Sequence, residues 1–411
     1  MRALPALAVL ALCACSGARS SPDRPRPCDA LPLLGRAEPA ALASDAAGGV
    51  ALVGNAPFAP LRAGNAVASQ PGGFALRTDP EGGVVFLHGF GAARPLAAAL
   101  LPDGSTVAVG AAGRRCFAAR LDAQGRELWS SRLLGEGESI CRAVTFDERT
   151  SEIFAAGDFA GVVGNVRSAG KSDALVLKIV ANTGEMRLVR TFGGAGAETA
   201  EAIAVAGPGT VVVAGTFGAS VPQSFSAVDF GRGPVAGAGD ADGYLLALDA
   251  ERFTTRWVST AGEPGDDGIV SLATREGQVY AAANLMKEQP GAPCGGSVAL
   301  LRNAEWVRVA EEDCIAARGL AFDEAGRLWS LEDAGRGVRA RAFSPVDGES
   351  LGVRTWGAER AAMRAIGIAA IPGGFALAAT TSGETVLCGK PIGSPGEETT
   401  FINWVRDLGS P

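Results

Sequence analysis

The chain has 411 residues and a formal net charge of −7, with its arginines scattered, so it offers no electrostatic case for nucleic acid or an acidic membrane surface. Its 57 glycines are roughly double ordinary usage, with no collagen-like period, and 47% of residues are hydrophobic. That composition points to a large core built from short strands joined by tight turns, and a single histidine excludes a His-based triad or metal centre.

At the N-terminus, Met1-Arg2 is a minimal basic start, and Leu4 to Ala14 is an apolar run too short to span a bilayer. The run ends in Leu12-Cys13-Ala14-Cys15-Ser16-Gly17, and Leu-x-Ala-Cys resembles the bacterial lipobox. The resemblance implies a lipoprotein signal peptide over 1–14 and acylation of Cys15; Cys13 fits less well because Leu12 fills the small-residue slot. An ordinary secretory signal is the alternative. Triacylation exceeds the two-anchor threshold for stable attachment, so the first expected partner is the membrane itself. Ser16 after the cysteine favours, by resemblance to lipoprotein sorting, the outer membrane of the cell envelope. The rest of 15–27, SGARSSPDRPRP, reads as a flexible tether, which leaves 28–411 for one domain.

Beyond the tether one pattern recurs: an apolar–small alternation, a tight turn with Gly or Asp, then an apolar strand that often closes on Gly. The copies begin at Ala41, Ala97, Arg142, Ala202, Val270, Ala317 and Ala365. Each predicts two strands, A and B. A second pattern follows, as in Cys116 to Asp122 with Glu127 to Leu133, or Asp173 to Ile179 with Met186 to Phe192, and supplies strands C and D. Four strands in each span is a propeller blade.

Asp173 to Gly215 (DALVLKIVANTGEMRLVRTFGGAGAETAEAIAVAGPGTVVVAG) resembles the bacterial seven-bladed propeller repeat of secreted and cell-surface proteins. The likeness is good over roughly 140–260 and fades elsewhere. It implies an exported, all-β, single seven-bladed β-propeller and transfers no catalytic residue. The seventh unit lacks a D strand, because Thr400 to Leu408 is its C strand and the chain then stops. Asp29 to Gly35 is therefore expected to supply that strand and close the ring, with Pro32 fitting an edge position.

Candidate chemistry is sparse. His88 lies among apolar strand neighbours; Lys171, Lys178, Lys287 and Lys390 form no Ser-x-x-Lys motif; Asp266-Asp267 and Glu311-Glu312-Asp313 read as solvated turns. Asp240 and Asp242, in a D-x-D-G turn, are weak calcium candidates without the full loop that ion needs, so no metal is expected. Trp129, Trp257, Trp306 and Trp356 fall at strand D positions and read as packing between blades, with no cofactor expected.

Six cysteines follow the signal, an even count that favours disulfides in an exported chain. In an up-and-down blade the B–C loop and the D-to-A loop share a face, which predicts Cys116–Cys141 and Cys294–Cys314. Elimination leaves Cys28–Cys388 across the closure. On that same face five B–C connections are long: Ala56 to Gly72, Phe159 to Ser172, Thr216 to Asp242, Leu285 to Gly296 and Thr381 to Thr399. Long connections over a rigid scaffold often carry recognition. The expected function is a non-catalytic binding or scaffold lipoprotein that meets a protein or glycan through this face. A propeller-type hydrolase or lyase, and a purely structural envelope component, are the alternatives.

Overall fold

Valine, alanine and leucine alternating with turn residues build strands and nothing else. The computed structural model describes residues 28–222, 226–286, 295–302, 305–313, 315–357 and 361–406, with the side chains of Cys28, Met286 and 295–313 set aside. The signal segment, the tether with Cys15, Lys287, Cys294 and Cys314 lie outside the described residues. Among the described residues there is no helix.

The strands form six four-stranded sheets and one of six strands, apart from small hairpins. Within each four-stranded sheet the order is sequential and antiparallel; the fourth, for example, runs Ala197–Val205, Thr210–Ala219, Asp242–Asp249 and Thr255–Ala261. The first (A) strands of the sheets are Glu38–Ser44, Ala93–Leu100, Glu138–Asp147, Ala197–Val205, Gly268–Arg275, Ile315–Phe322 and Ala362–Ile371. Each packs beside the A strand before and after it, and the last packs beside the first. A closed ring of sheets about a central channel, the arrangement of a β-propeller, follows.

The six-stranded sheet holds the closure. Cys28–Leu34 pairs antiparallel with Glu398–Arg406, placing Asp29 opposite Trp404 and Leu31 opposite Ile402. The predicted D strand is thus supplied from the N-terminal side, and Leu33 and Leu34 continue onto the hairpin strand Leu61–Ala63. Asn403, fully buried at this seam, is satisfied on both sides of its amide. Its Nδ2 donates to the Asp29 carbonyl at 2.7 Å, and its Oδ1 accepts from Trp356 Nε1 at 3.1 Å.

Middle strands are covered on both faces and read as unbroken apolar runs rather than alternations. Val211, Val212, Val213 and Ala214 have no exposed surface, and each valine contributes about 1.5–3 kcal/mol of burial. Phe154, Phe217, Phe230 and Tyr244 fill the space between the third and fourth sheets.

One irregularity repeats in all seven A strands. The register against strand B slips by one residue after Pro39, Pro95, Cys141, Ala200, Ile269, Ala317 and Ala365. This β-bulge leaves Ala40, Leu96, Arg142, Glu201, Val270, Arg318 and Ile366 without a partner in strand B. In the third and fourth sheets the glycine closing strand B explains how the bulge fits. A Cβ on Gly157 would stand 1.9 Å from the Ile140 carbonyl oxygen, and one on Gly215 2.0 Å from that of Thr199. The recurring Gly of the sequence pattern is therefore a close-approach position.

Candidate functional site

The ring of A strands encloses a channel in which cavities of about 440 and 490 Å³ adjoin and share lining residues. All seven bulge residues line the 440 Å³ stretch of this channel. Two residues further along each strand lies an apolar layer that includes Leu42, Val144, Ile203, Leu320 and Ile368. Two residues before the bulge, at the mouth, stand Glu38, Arg94 and Arg364. This mouth lies at the start of each A strand, hence on the face of the B–C connections, since Glu38 pairs with Asn55 where the first connection departs.

Charge is distributed unevenly around the ring. Arg142 Nε donates to Asp158 Oδ1 at 2.5 Å and stands 3.6 Å from Glu201 Oε1. Burial works against the Arg142 charge, but the carboxylates of Glu201 and Asp158 outweigh it and hold its pKa above the usual guanidinium value. Arg318 Nε donates to Asp333 Oδ2 at 2.7 Å, and the other oxygen of Asp333 accepts the Ala365 amide at 2.7 Å. Glu38 accepts from Asn55 Nδ2 at 3.1 Å. Arg94 and Arg364 are exposed and have no ion-pair partner among the described residues.

No nucleophile–base pair is present in the described channel lining. Ser271 lines it, but its Oγ accepts the Leu320 amide at 3.0 Å. His88 sits on an outermost strand, edge-to-face with Phe90 at 4.8 Å, away from the channel. Tyr244 is fully buried, and burial together with Glu201, Glu198 and Asp158 pushes its hydroxyl pKa well above the ordinary value, so it stays protonated.

The calcium candidates are separated. Asp240 is exposed, whereas Asp242 is buried and its Oδ2 accepts the amides of Ala238 at 2.8 Å and Gly239 at 3.2 Å. Asp173 repeats the arrangement on the Ala169 amide at 2.9 Å. The aspartate opening strand C thus pins the connection before it. It also presses on the glycine that follows strand D, since a Cβ on Gly262 would lie 1.6 Å from Asp242 Oδ1. No group of three or more potential ligands gathers among the described residues.

Cys116 and Cys141 are bonded, Cα to Cα 5.0 Å, joining strand C of the second sheet to strand A of the third. Cys388 is also in a disulfide, beside the closing strand, where Lys390 Nζ reaches Asp29 at 3.5 Å. The side chain of Cys28 is outside the described set. The tryptophans lie in outer strands as expected: Trp129 Nε1 donates to the Ala181 carbonyl of the next sheet at 2.7 Å, and Trp356 reaches Asn403. Trp257 is partly exposed.

The long connections differ from the expected open recognition loops. Four of the five carry short hairpins, Leu61–Ala63 with Ala66–Ala68, Val162–Val163 with Val166–Arg167, Val228–Asp229 with Pro234–Val235, and Thr385–Leu387 with Lys390–Ile392. Leu61, Val163, Val228, Phe230, Leu387 and Ile392 are buried. Each of these four connections turns one or more apolar side chains into the core while the rest of it stays at the surface; the connection over 287–294 is outside the described residues. The signal for the channel residues was weaker, since no motif marks Glu38, Arg94 or Arg364.

Ring closure, sequential four-stranded sheets and a central channel define an all-β propeller. No family model and no curated protein matches the sequence. Among solved structures, virginiamycin B lyase from Staphylococcus aureus is 8% identical, with 92% of this chain and 98% of that chain covered and a TM-score of 0.51. A puromycin hydrolase, solved as its S511A mutant in complex with PGG, is 10% identical over 88% of this chain, with a TM-score of 0.52. The chain spans about half of that hydrolase, 54%. These likenesses establish the fold alone.

Proposed function

We propose that the chain is a seven-bladed, non-catalytic binding propeller, tethered to the cell envelope through a lipid on Cys15, that takes a ligand at the mouth of its channel. The six-stranded sheet counts as the seventh blade, with Cys28–Leu34 as its D strand. The observation that carries the reading is the bulge repeated in seven A strands, which places an unpaired strand residue of every sheet in the channel wall. A bulge disrupts the ladder locally and recurs where a strand must re-aim a residue. The closing strand begins opposite Val405, at the A–B turn end. A tether entering there leaves the mouth, on the other face, directed away from the membrane. Cys28–Cys388 and Cys294–Cys314 complete the proposed disulfide set.

Hydrolase or lyase chemistry is the competing reading. The described channel wall offers Glu38, Glu201 and four arginines, of which Arg142 and Arg318 are ion-paired, and no lysine or histidine. The test is an Ala40→Trp variant, which fills the mouth from a position with open space beside it. The lipidated protein is purified from envelope in detergent, and the co-purifying species are compared by mass spectrometry with wild type and with Phe58→Ser, an exposed connection residue. Loss of a co-purifying species in Ala40→Trp alone supports the channel; an unchanged set in Ala40→Trp overturns it.

A further inference from the structure

The ring is two-sided, and this names a ligand class. Three consecutive sheets, the last, the first and the second, contribute Ile366, Ala40 and Leu96 at the bulge layer, an apolar arc. Directly above that arc, on the same three strands, stand Arg364, Glu38 and Arg94. Elsewhere in the ring the arginines are neutralised: Arg142 by Asp158 and Glu201, Arg318 by Asp333. Arg94 and Arg364 carry no such partner among the described residues, and Glu38 is turned to Asn55. Two guanidinium groups without an ion-pair partner among the described residues flank Glu38 at the lip, above an arc that is apolar one layer down, and can accept an anion whose body is apolar. A guanidinium binds carboxylate or phosphate oxygens through paired N–H donors.

Depth sets the size. Four residues separate Arg364 at the lip from Ile368 in the apolar layer, a strand rise of roughly 13 Å at most. A cavity of about 490 Å³ lies in the range for small organic ligands. Resting on the channel reading above, we propose that the mouth binds an organic anion with a short apolar body, the anionic group between Arg94 and Arg364 and the body against Leu96, Ala40 and Ile366.

The probe is octanoate, titrated calorimetrically into the purified full-length protein, with octylamine as the reversed-charge control. Wild type is expected to bind one octanoate and to bind octylamine at least tenfold more weakly. Arg94→Gln/Arg364→Gln is expected to lose at least tenfold in octanoate affinity while melting at the wild-type temperature, because neither side chain holds the fold. Ala40→Trp is expected to abolish binding. Equal affinity for the two probes, unchanged affinity in the double glutamine variant, or no octanoate binding to wild type would each overturn the proposal. If octanoate fails to bind while Ala40→Trp still strips a co-purifying species, the ligand class is wrong and the channel reading stands. If octanoate binds while the co-purifying set is unchanged, the anion site stands and that reading falls.

Discussion

Replacing Phe230 with alanine separates a structural connection from a tolerated insertion. Phe230 lies in the longest connection, has no exposed surface, and packs on Phe192, Phe217 and Tyr244 with centroids 5.7, 5.5 and 4.8 Å away. Phe-to-Ala changes in cores cost about 3–5 kcal/mol, and three aromatic partners at about 0.5–1.5 kcal/mol each place this one at the upper end. Entropy of unfolding near 2.1 cal/mol/K per residue gives a 411-residue chain roughly 0.9 kcal/mol per degree, so the expected fall in Tm is about 5 °C. Differential scanning calorimetry of Phe230→Ala beside Phe58→Ala, an exposed site in another connection, reads it directly. A Tm within about 1 °C of wild type for Phe230→Ala would refute the claim that the connection is core. For the same reason, excision of 216–242 reports on folding rather than recognition.

Other expectations follow from the same geometry. Cys116→Ser/Cys141→Ser opens a loop of 25 residues, a loss of about 3 kcal/mol; reductant should lower the melting of wild type by a few degrees and leave the double variant less affected. Gly262→Ala forces Asp242 off its two amides and should lower stability markedly, with part of the loss recovered in Gly262→Ala/Asp242→Ala; equal melting of wild type and Gly262→Ala contradicts the close approach. Burial raises the carboxyl pKa of Asp173, Glu198 and Asp242 against the backbone amides that lower it. The folded chain therefore holds those protons more tightly than the unfolded one. Their stabilising contribution is complete below the unfolded values and is lost as pH rises through the folded ones. Melting temperature should climb as pH falls from 7 toward 5, and Asp242→Asn should flatten the climb; a steady fall over that window contradicts it.

The sheets were legible because each blade repeats the same short programme of alternation, turn and apolar run, and because Cys116 and Cys141 sit at equivalent edges of adjacent units. The predicted A strands all begin within one residue of the bulge, at Ala41, Ala97, Arg142, Ala202, Val270, Ala317 and Ala365. The true strands start up to five residues earlier, as at Ala197. A bulge interrupts the period of two on which strand reading depends, so the residues before it look like linker. Glu38, Arg94 and Arg364 are among them, so the sequence pattern marks the long connections and not the mouth of the channel. Those connections, read as surface, carry Phe230 and Leu387 into the core. Asp242 shows the converse: in its D-x-D-G turn, Oδ2 accepts the amides of Ala238 and Gly239, an arrangement Asp173 repeats on Ala169.

The most direct test of the account is photo-crosslinking in the envelope. A benzophenone amino acid is placed at Leu96 in the channel wall, or at Leu128, which is 55% exposed on the outer strand of the same sheet. Ligand binding in the channel predicts a specific crosslinked species from position 96 that is absent from position 128. Crosslinks from 128 alone would contradict it and move recognition to the rim of the ring.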